Sequence, residues 1–449
     1  MELQIALHRG HGPLRTQLER GLREGIREGR LRPGAVLPST RALARDLGVA
    51  RGTVVEAYAQ MVAEGYLVTR AGAGTAVAAR LEPAAATVSS PPETRPRYDF
   101  RHSVPDLSSF PRRAWLAALS HTVRELADER LDYGDPRGAI ELRAALAGYL
   151  GRTRGVVADP ERVVIVNGFQ QGLVVLWRGL RERMVQRIGV EDPGWADHGR
   201  SVAEAGHHVM PIPVDSRGLV VEDMPAHALD AVVVTPAHQY PTGAVLAPER
   251  RAALVDWARS RSRLIVEDDY DAQYRYDRQP IGAVQGLAPD NTIYGSSVSK
   301  LLAPSIRIGW LVVPAALVDA VAASKRDLDW STSLLEQLAL ARLIDNGEFD
   351  RHLRRTRRLY ERRRTALIRA LEQHMPELTV VGAAAGLHLL ARLPPGTDEA
   401  EVISRSAARG VRVRGLGARG PALVLGYGSL PEESIPKAVE ELAAAASGR

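Results

Sequence analysis

The sequence predicts two domains of different class: a small α+β unit of three helices and a hairpin, followed by a large α/β domain on a mainly parallel sheet. Three observations predict this. At 449 residues the chain exceeds what one hydrophobic core usually holds. Leu81 to Arg97 carries Pro83, Pro91, Pro92 and Pro96 with little apolar periodicity, the composition of a semi-extended tether. Before that stretch, helical patterns come first and alternating strands last; after it, short apolar runs alternate with helices. The expected boundaries are therefore 1–80 for the first domain, 81–97 for a linker and 98–449 for the second domain.

Within the first domain, Pro13 to Gly29 reads as a helix, with Leu14, Leu18, Leu22 and Ile26 at spacing four. Ser39 is a good N-cap for a short second helix, Thr40 to Leu47, which Gly48 ends. A third helix follows from about Arg51 to Glu64. Tyr66–Thr69 and Thr75–Ala78 then alternate around Gly72-Ala73-Gly74, as a small hairpin does. Three helices and a two-stranded wing describe a winged helix-turn-helix. Charge agrees: residues 1–80 hold 12 Arg and 7 acids, net +5, which leaves +1 for the rest of a chain of net charge +6. A basic unit on a nearly neutral body suggests a nucleic-acid-binding module; the bland alternative is a solvated surface with chance asymmetry.

In the second domain, Val163–Val166, Ala231–Val234, Arg263–Val266 and Ile308–Val313 read as buried strands. Leu142–Tyr149, Pro248–Arg261 and Ser333–Asn346 read as helices, and Arg351–Arg369 as one long amphipathic helix with a solvated charged face. The absence of cysteine excludes disulfides and thiolate metal sites, and no metal site is expected. No early apolar stretch suggests a signal peptide and no apolar run a membrane span, so the cytoplasm is the expected address. Lysine is almost absent: Lys300, Lys325 and Lys437 stand against 56 arginines. Codon bias is the bland reading of the arginine excess; the other is that a retained amine, which arginine cannot replace, is a candidate for imine chemistry with an aldehyde cofactor.

Leu37-Pro38-Ser39-Thr40-Arg41-Ala42-Leu43-Ala44-Arg45-Asp46-Leu47-Gly48-Val49-Ala50-Arg51-Gly52-Thr53-Val54 resembles the GntR-type DNA-binding domain, with a match from about Pro13 to Ala78. The resemblance implies that the third helix enters the major groove of an operator. Arg41 and Arg51 are then the candidates for phosphate or guanine contact, Thr53 for a phosphate or a thymine methyl, and Arg70 for the backbone or minor groove; Ser39, at the cap, is placed with them.

Six landmarks resemble fold type I aminotransferases, which depend on pyridoxal 5′-phosphate (PLP), in order and spacing. They are Tyr133–Gly138, Asn167–Gln171, Glu191–Trp195, Thr235–Gly243, Glu267–Asp271 and Ser297–Arg307. A GntR-type head before such a body is the architecture of the MocR family of transcriptional regulators, which the whole chain resembles. The resemblance implies a PLP-dependent transferase-like fold for the large domain, with PLP bound as an imine on Lys300. Asp268 would pair with the pyridine nitrogen, Tyr270 with the 3′-oxygen, and Trp195 would stack on the ring. Arg307, Ser297 and the backbone N–H groups of Phe169 and Gln170 would hold the phosphate. It also implies a homodimer.

Two departures concern the ligand. Val424 and Asp197 stand where carboxylate-binding arginines are often found, with Arg412 and Arg414 left as substitutes. A weak response to simple amino acids is therefore expected, with PLP itself or an amine lacking a carboxylate as the effector. Tyr240 stands where enzymes commonly have asparagine, which weakens the case for transamination. The expected function is a regulator whose operator binding responds to PLP or a PLP-reactive amine, with no catalytic residue assigned. The rival readings are an active aminotransferase with a DNA-binding head, and a body that serves only as a dimerisation scaffold.

Overall fold

A computed structural model describes residues 5–10, 12–70, 74–78, 96–102, 104–181, 185–225, 227–277 and 281–447. The chain divides into two compact units, Met1–Thr94 and Arg95–Arg449. The expected linker lies almost wholly outside the described residues.

In the first unit, α1 (Leu14–Arg27), α2 (Thr40–Leu47) and α3 (Arg51–Ala63) precede strands β1 (Leu67–Arg70) and β2 (Gly74–Val77). Leu18, Leu22 and Ile26 of α1 pack with Leu43 of α2 and with Val54, Tyr58 and Met61 of α3 in one core. Ser39 Oγ accepts from the Ala42 N–H at 3.2 Å, and Gly48 ends α2 in the left-handed region at φ 62°. The two strands pair antiparallel from Leu67↔Val77 to Arg70↔Gly74. Residues 71–73 of the expected turn lie outside the described residues.

The second unit adds β3 (Tyr98–Asp99), β4 (Val163–Val166), β5 (Arg187–Asp192), β6 (His208–Asp215), β7 (Gly218–Leu219), β8 (Ala231–Val234), β9 (Leu264–Asp268), β10 (Thr292–Ser297) and β11 (Gly309–Val312). It closes with β12 (Thr379–Val381), β13 (His388–Arg392), β14 (Val411–Arg412), β15 (Arg414–Gly415) and β16 (Ala422–Gly426). The main sheet has the order β4-β11-β10-β9-β8-β5-β6-β7. Its centre, β10 through β6, is parallel, while β11 runs antiparallel to both β10 and β4. The apolar runs β4, β8 and β11 are buried along their whole length, as expected of strands covered on both faces. A second sheet, β12-β13-β16-β15, is antiparallel. The long arginine-rich helix runs Glu348–His374 and buries Phe349, Leu353, Tyr360 and Leu367 against the body. Among the described residues, no helix is long and apolar enough to cross a membrane.

Candidate functional site

In an open α/β sheet, ligand-binding residues gather beyond the carboxyl ends of the parallel strands. Here β9 ends on Asp268, β10 ends on Ser297, and β4 runs into the turn Asn167-Gly168. That turn needs glycine twice. Gly168 has φ 85°, and a Cβ there would lie 3.1 Å from the Arg307 guanidinium; a Cβ on Gly309 would meet the Gly168 backbone at 2.9 Å. Arg307 and the N-terminus of the helix Phe169–Leu180 are therefore held side by side, with Arg307 Nη2 donating to the Asn167 carbonyl at 2.6 Å. Ser297 is buried nearby in sequence, its Oγ 3.4 Å from the Ser299 N–H. A guanidinium beside free helix N–H groups is a phosphate-binding arrangement.

Asp268 is buried, with Oδ2 3.0 Å from His198 Nε2. Its other oxygen, Oδ1, is buried without a hydrogen-bond partner among the described residues. Burial raises the Asp268 carboxyl above the ordinary range, while the bond to His198 pulls it back. Burial lowers the Lys300 amine, with Asp268 acting in the opposite sense. The result is an amine that loses its proton more easily than a solvated lysine and that feels the charge of a carboxyl group with one oxygen to offer.

Tyr270 is buried, with its hydroxyl 3.2 Å from His238 Nδ1, and His238 lies 3.0 Å from Asp271. Trp195 stacks on Tyr240, ring centroids 3.9 Å apart and 18° from parallel, and meets Tyr270 edge-on at 5.7 Å. One indole face is thus covered by Tyr240. Phe169 packs edge-on against His198 at 6.1 Å, and the exposed Gln170 side chain reaches the Asp197 carbonyl at 3.5 Å. The sequence reading did not single out His198, His238 or Asp271. His198 lies on a helix and His238 and Asp271 on loops far apart in the chain, and no local spacing announces them. His238, Asp271 and His388 are all buried, with potential metal-ligating atoms within 4.8 Å of one another; His238 and Asp271 are already bonded together.

In the first unit Arg41 and Arg51 are exposed and Thr53 is half-buried. Arg51 Nε donates to Thr40 Oγ1 at 3.4 Å, which brings the starts of α2 and α3 together. Neither helix carries an acid in its first turn, and Ala50 supplies no side-chain cap to α3. The N-terminus of α3 thus offers uncapped N–H groups beside two exposed guanidinium groups. Val55 is 43% exposed on α3. Arg70 ends β1, but its side chain lies outside what is described.

Comparison with known proteins gives two domain matches. Residues 103–415 match the aminotransferase class I and II family, and residues 14–77 match the gntR family of bacterial regulatory proteins. The chain is 34% identical to the HTH-type pyridoxine biosynthesis transcriptional regulator PdxR of Corynebacterium glutamicum, over 99% of both chains. It is 34% identical to the probable rhizopine catabolism regulatory protein MocR of Rhizobium meliloti, over 96% of this chain and 94% of that one. It is 32% identical to the HTH-type regulator TauR of Rhodobacter capsulatus, over 97% of each. Among solved structures, a Pyrococcus horikoshii kynurenine aminotransferase matches with a TM-score of 0.72 and 24% identity over 79% of this chain and 92% of that one. That likeness establishes the fold.

Proposed function

Because this chain belongs to the MocR family of HTH-type regulators, a GntR-type DNA-binding head joined to an aminotransferase class I and II body, we propose that the body binds PLP at Lys300. We further propose that PLP, or an amine that reacts with it, sets how tightly the head holds its operator. The observation that carries this reading is the unpartnered Oδ1 of Asp268, buried at the end of β9 near the amine of Lys300.

The residues fit the group. Bound PLP supplies an aldehyde that condenses with amines and a ring that withdraws electrons from them. Asp268 Oδ1 would accept from the pyridine nitrogen, with His198 fixing the carboxylate's rotation through the other oxygen. Tyr270, held in place by His238 and Asp271, would serve the 3′-oxygen. Arg307, Ser297 and the N–H groups of Phe169 and Gln170 would take the phosphate. Trp195, braced by Tyr240, would flank the ring. In the head, Arg41, Arg51 and Thr53 contact DNA, and Ser39 caps the helix that positions Arg41.

The name of the C. glutamicum relative supports PLP itself as the sensed molecule. The protein acts as a homodimer on paired half-sites; the exposed Tyr133 and Trp330, in ring contact at 5.2 Å, support a covered face. Turnover is not part of this reading. Sustained exchange of amino and keto acids by the purified protein would favour the aminotransferase alternative.

Borohydride reduction of the PLP-treated protein, followed by peptide mass mapping, tests the site. The pyridoxyl label is expected on Lys300. Lys325 is ion-paired with Asp329 at 2.5 Å and Lys437 with Glu440 at 2.9 Å. A label on either of those instead would contradict the assignment.

A further inference from the structure

We infer that Arg414, with His102, Trp195 and Tyr240, forms an anion subsite beside the cofactor site, and that any amine taken up there alongside PLP carries a carboxylate. This deepens the PLP reading and rests on it. It also departs from the expectation, drawn from Val424 and Asp197, that amino acids act poorly.

The placement follows from strand register. Arg414 of β15 is directly opposite Val424 of β16, and directly opposed residues of an antiparallel pair share one face. Val424 is fully buried and packs with Tyr240, Tyr270 and Leu390, with Trp195 and Leu416 against them. The exposed Arg414 thus rises at the rim of the aromatic cluster that flanks the cofactor site. Its charge reaches that cluster. His102, whose ring lies 4.8 Å from Tyr240 and 5.4 Å from Trp195, is held neutral down to about pH 4 by burial, then by Arg414 and Lys300.

The acids nearby are committed elsewhere. The Glu399 carboxylate accepts from the N–H groups of Leu416, Gly417 and Ala422 at 3.0, 2.8 and 3.0 Å. Asp99 lies 2.6 Å from Arg101 and 3.9 Å from Arg412, so Arg412 has an acid beside it and Arg414 does not. Asp197 pairs with Arg200, and Asp192 with Arg419. Among the described residues, Arg414 has no ion pair. The neighbouring rings carry idle polar atoms: among the described residues, Trp195 Nε1 and His102 Nδ1 are buried without partners. His388 lies 5.4 Å from Tyr240. An indole N–H can only donate, and a neutral imidazole donates from one nitrogen. Buried donors beside an unpaired guanidinium are unfavourable unless something accepts from them, and an anion does.

The test uses two reduced conjugates, phosphopyridoxyl-L-alanine and phosphopyridoxyl-ethylamine, which differ by the carboxylate. Each is titrated calorimetrically into the PLP-free full chain. The native protein should bind the alanine conjugate about 10- to 100-fold more tightly, the usual worth of a charge-assisted hydrogen bond. Arg414→Ala should bind both conjugates alike, with unchanged affinity for the ethylamine conjugate, which also shows that the variant is folded. Arg414→Lys should keep part of the preference. An undiminished preference in Arg414→Ala, or none in the native protein, would overturn the proposal. Failure of the native protein to bind either conjugate would instead overturn the cofactor reading, and the subsite with it.

Discussion

Asp268 and Asp269 are adjacent carboxylates with opposite fates. Asp269 accepts from Arg154 Nε at 2.7 Å, from Arg154 Nη2 at 3.2 Å and from the Tyr294 hydroxyl at 2.5 Å, all buried. Asp268 keeps one oxygen idle. Alternation along an extended chain sends neighbours to opposite sides, so one carboxylate braces the core and the other faces the site. Asp269→Asn should destabilise the body by about 3–5 kcal/mol, because the Arg154 charge is left buried without its partner. Asp268→Asn should leave the denaturation midpoint nearly unchanged but weaken PLP binding on the order of tenfold, since a charge-assisted bond is lost. Denaturant titration and PLP titration of both variants check the pair; equal stability loss in the two would refute the division of labour. The sequence reading placed Asp268 in the site from the order of motifs alone. It gave no hint of Arg154 or His198, because those partners arrive from 115 and 70 residues away.

At the scale of elements, the legible strands were the short all-apolar runs. β6 went unread because Pro211 and Pro213 interrupt it, which is tolerated near the sheet edge, where its only other partner is the two-residue β7. β10 went unread because its apolar run is cut short by Gly295 and two serines, of which Ser296 Oγ donates to the Asp269 carbonyl. The helices of the head were legible from caps and periodicity. Ser39→Ala should cost the head about 1 kcal/mol through loss of its cap on α2, measurable by thermal denaturation. Arg51→Ala, at the start of α3, should weaken operator binding by about 1–3 kcal/mol if it reads a base edge. If it touches phosphate alone, the loss should be similar on all sequences, with the salt slope reduced by about one. A gel-shift salt series separates these, and unchanged affinity would reject the contact.

The long helix Glu348–His374 carries a pH signature. Burial lowers His352 to about 4, and its Nε2 lies 2.8 Å from the Leu301 carbonyl, next to Lys300. The folded state therefore binds this proton less readily than the unfolded state, whose histidine titrates near 6.5. Stability from this group is intact above about 6.5 and declines as pH falls toward 4, by roughly 1.4 kcal/mol for each tenfold difference in proton affinity. His352→Gln should flatten the stability profile across that window. A profile as steep as that of the native protein would show that other groups set it.

At the scale of the whole molecule, the sequence conveyed the two-part architecture through charge, composition and the order of motifs. It read the ligand as PLP or an amine without a carboxylate and named Arg414 only beside Arg412 as a substitute, because Arg414 and Val424 become neighbours only when β15 pairs with β16. The two parts have separate cores, so regulation requires that the state of the Lys300 site change the free energy of DNA binding by the head. The measurement that tests this most directly is operator affinity at one fixed salt concentration, for PLP-free and PLP-loaded native protein and for Lys300→Ala under both conditions. PLP is expected to change the native affinity by about 5- to 150-fold, the usual range of coupling between sites, and to leave Lys300→Ala unmoved. Equal operator affinities for the PLP-free and PLP-loaded native protein would contradict a PLP-responsive regulator.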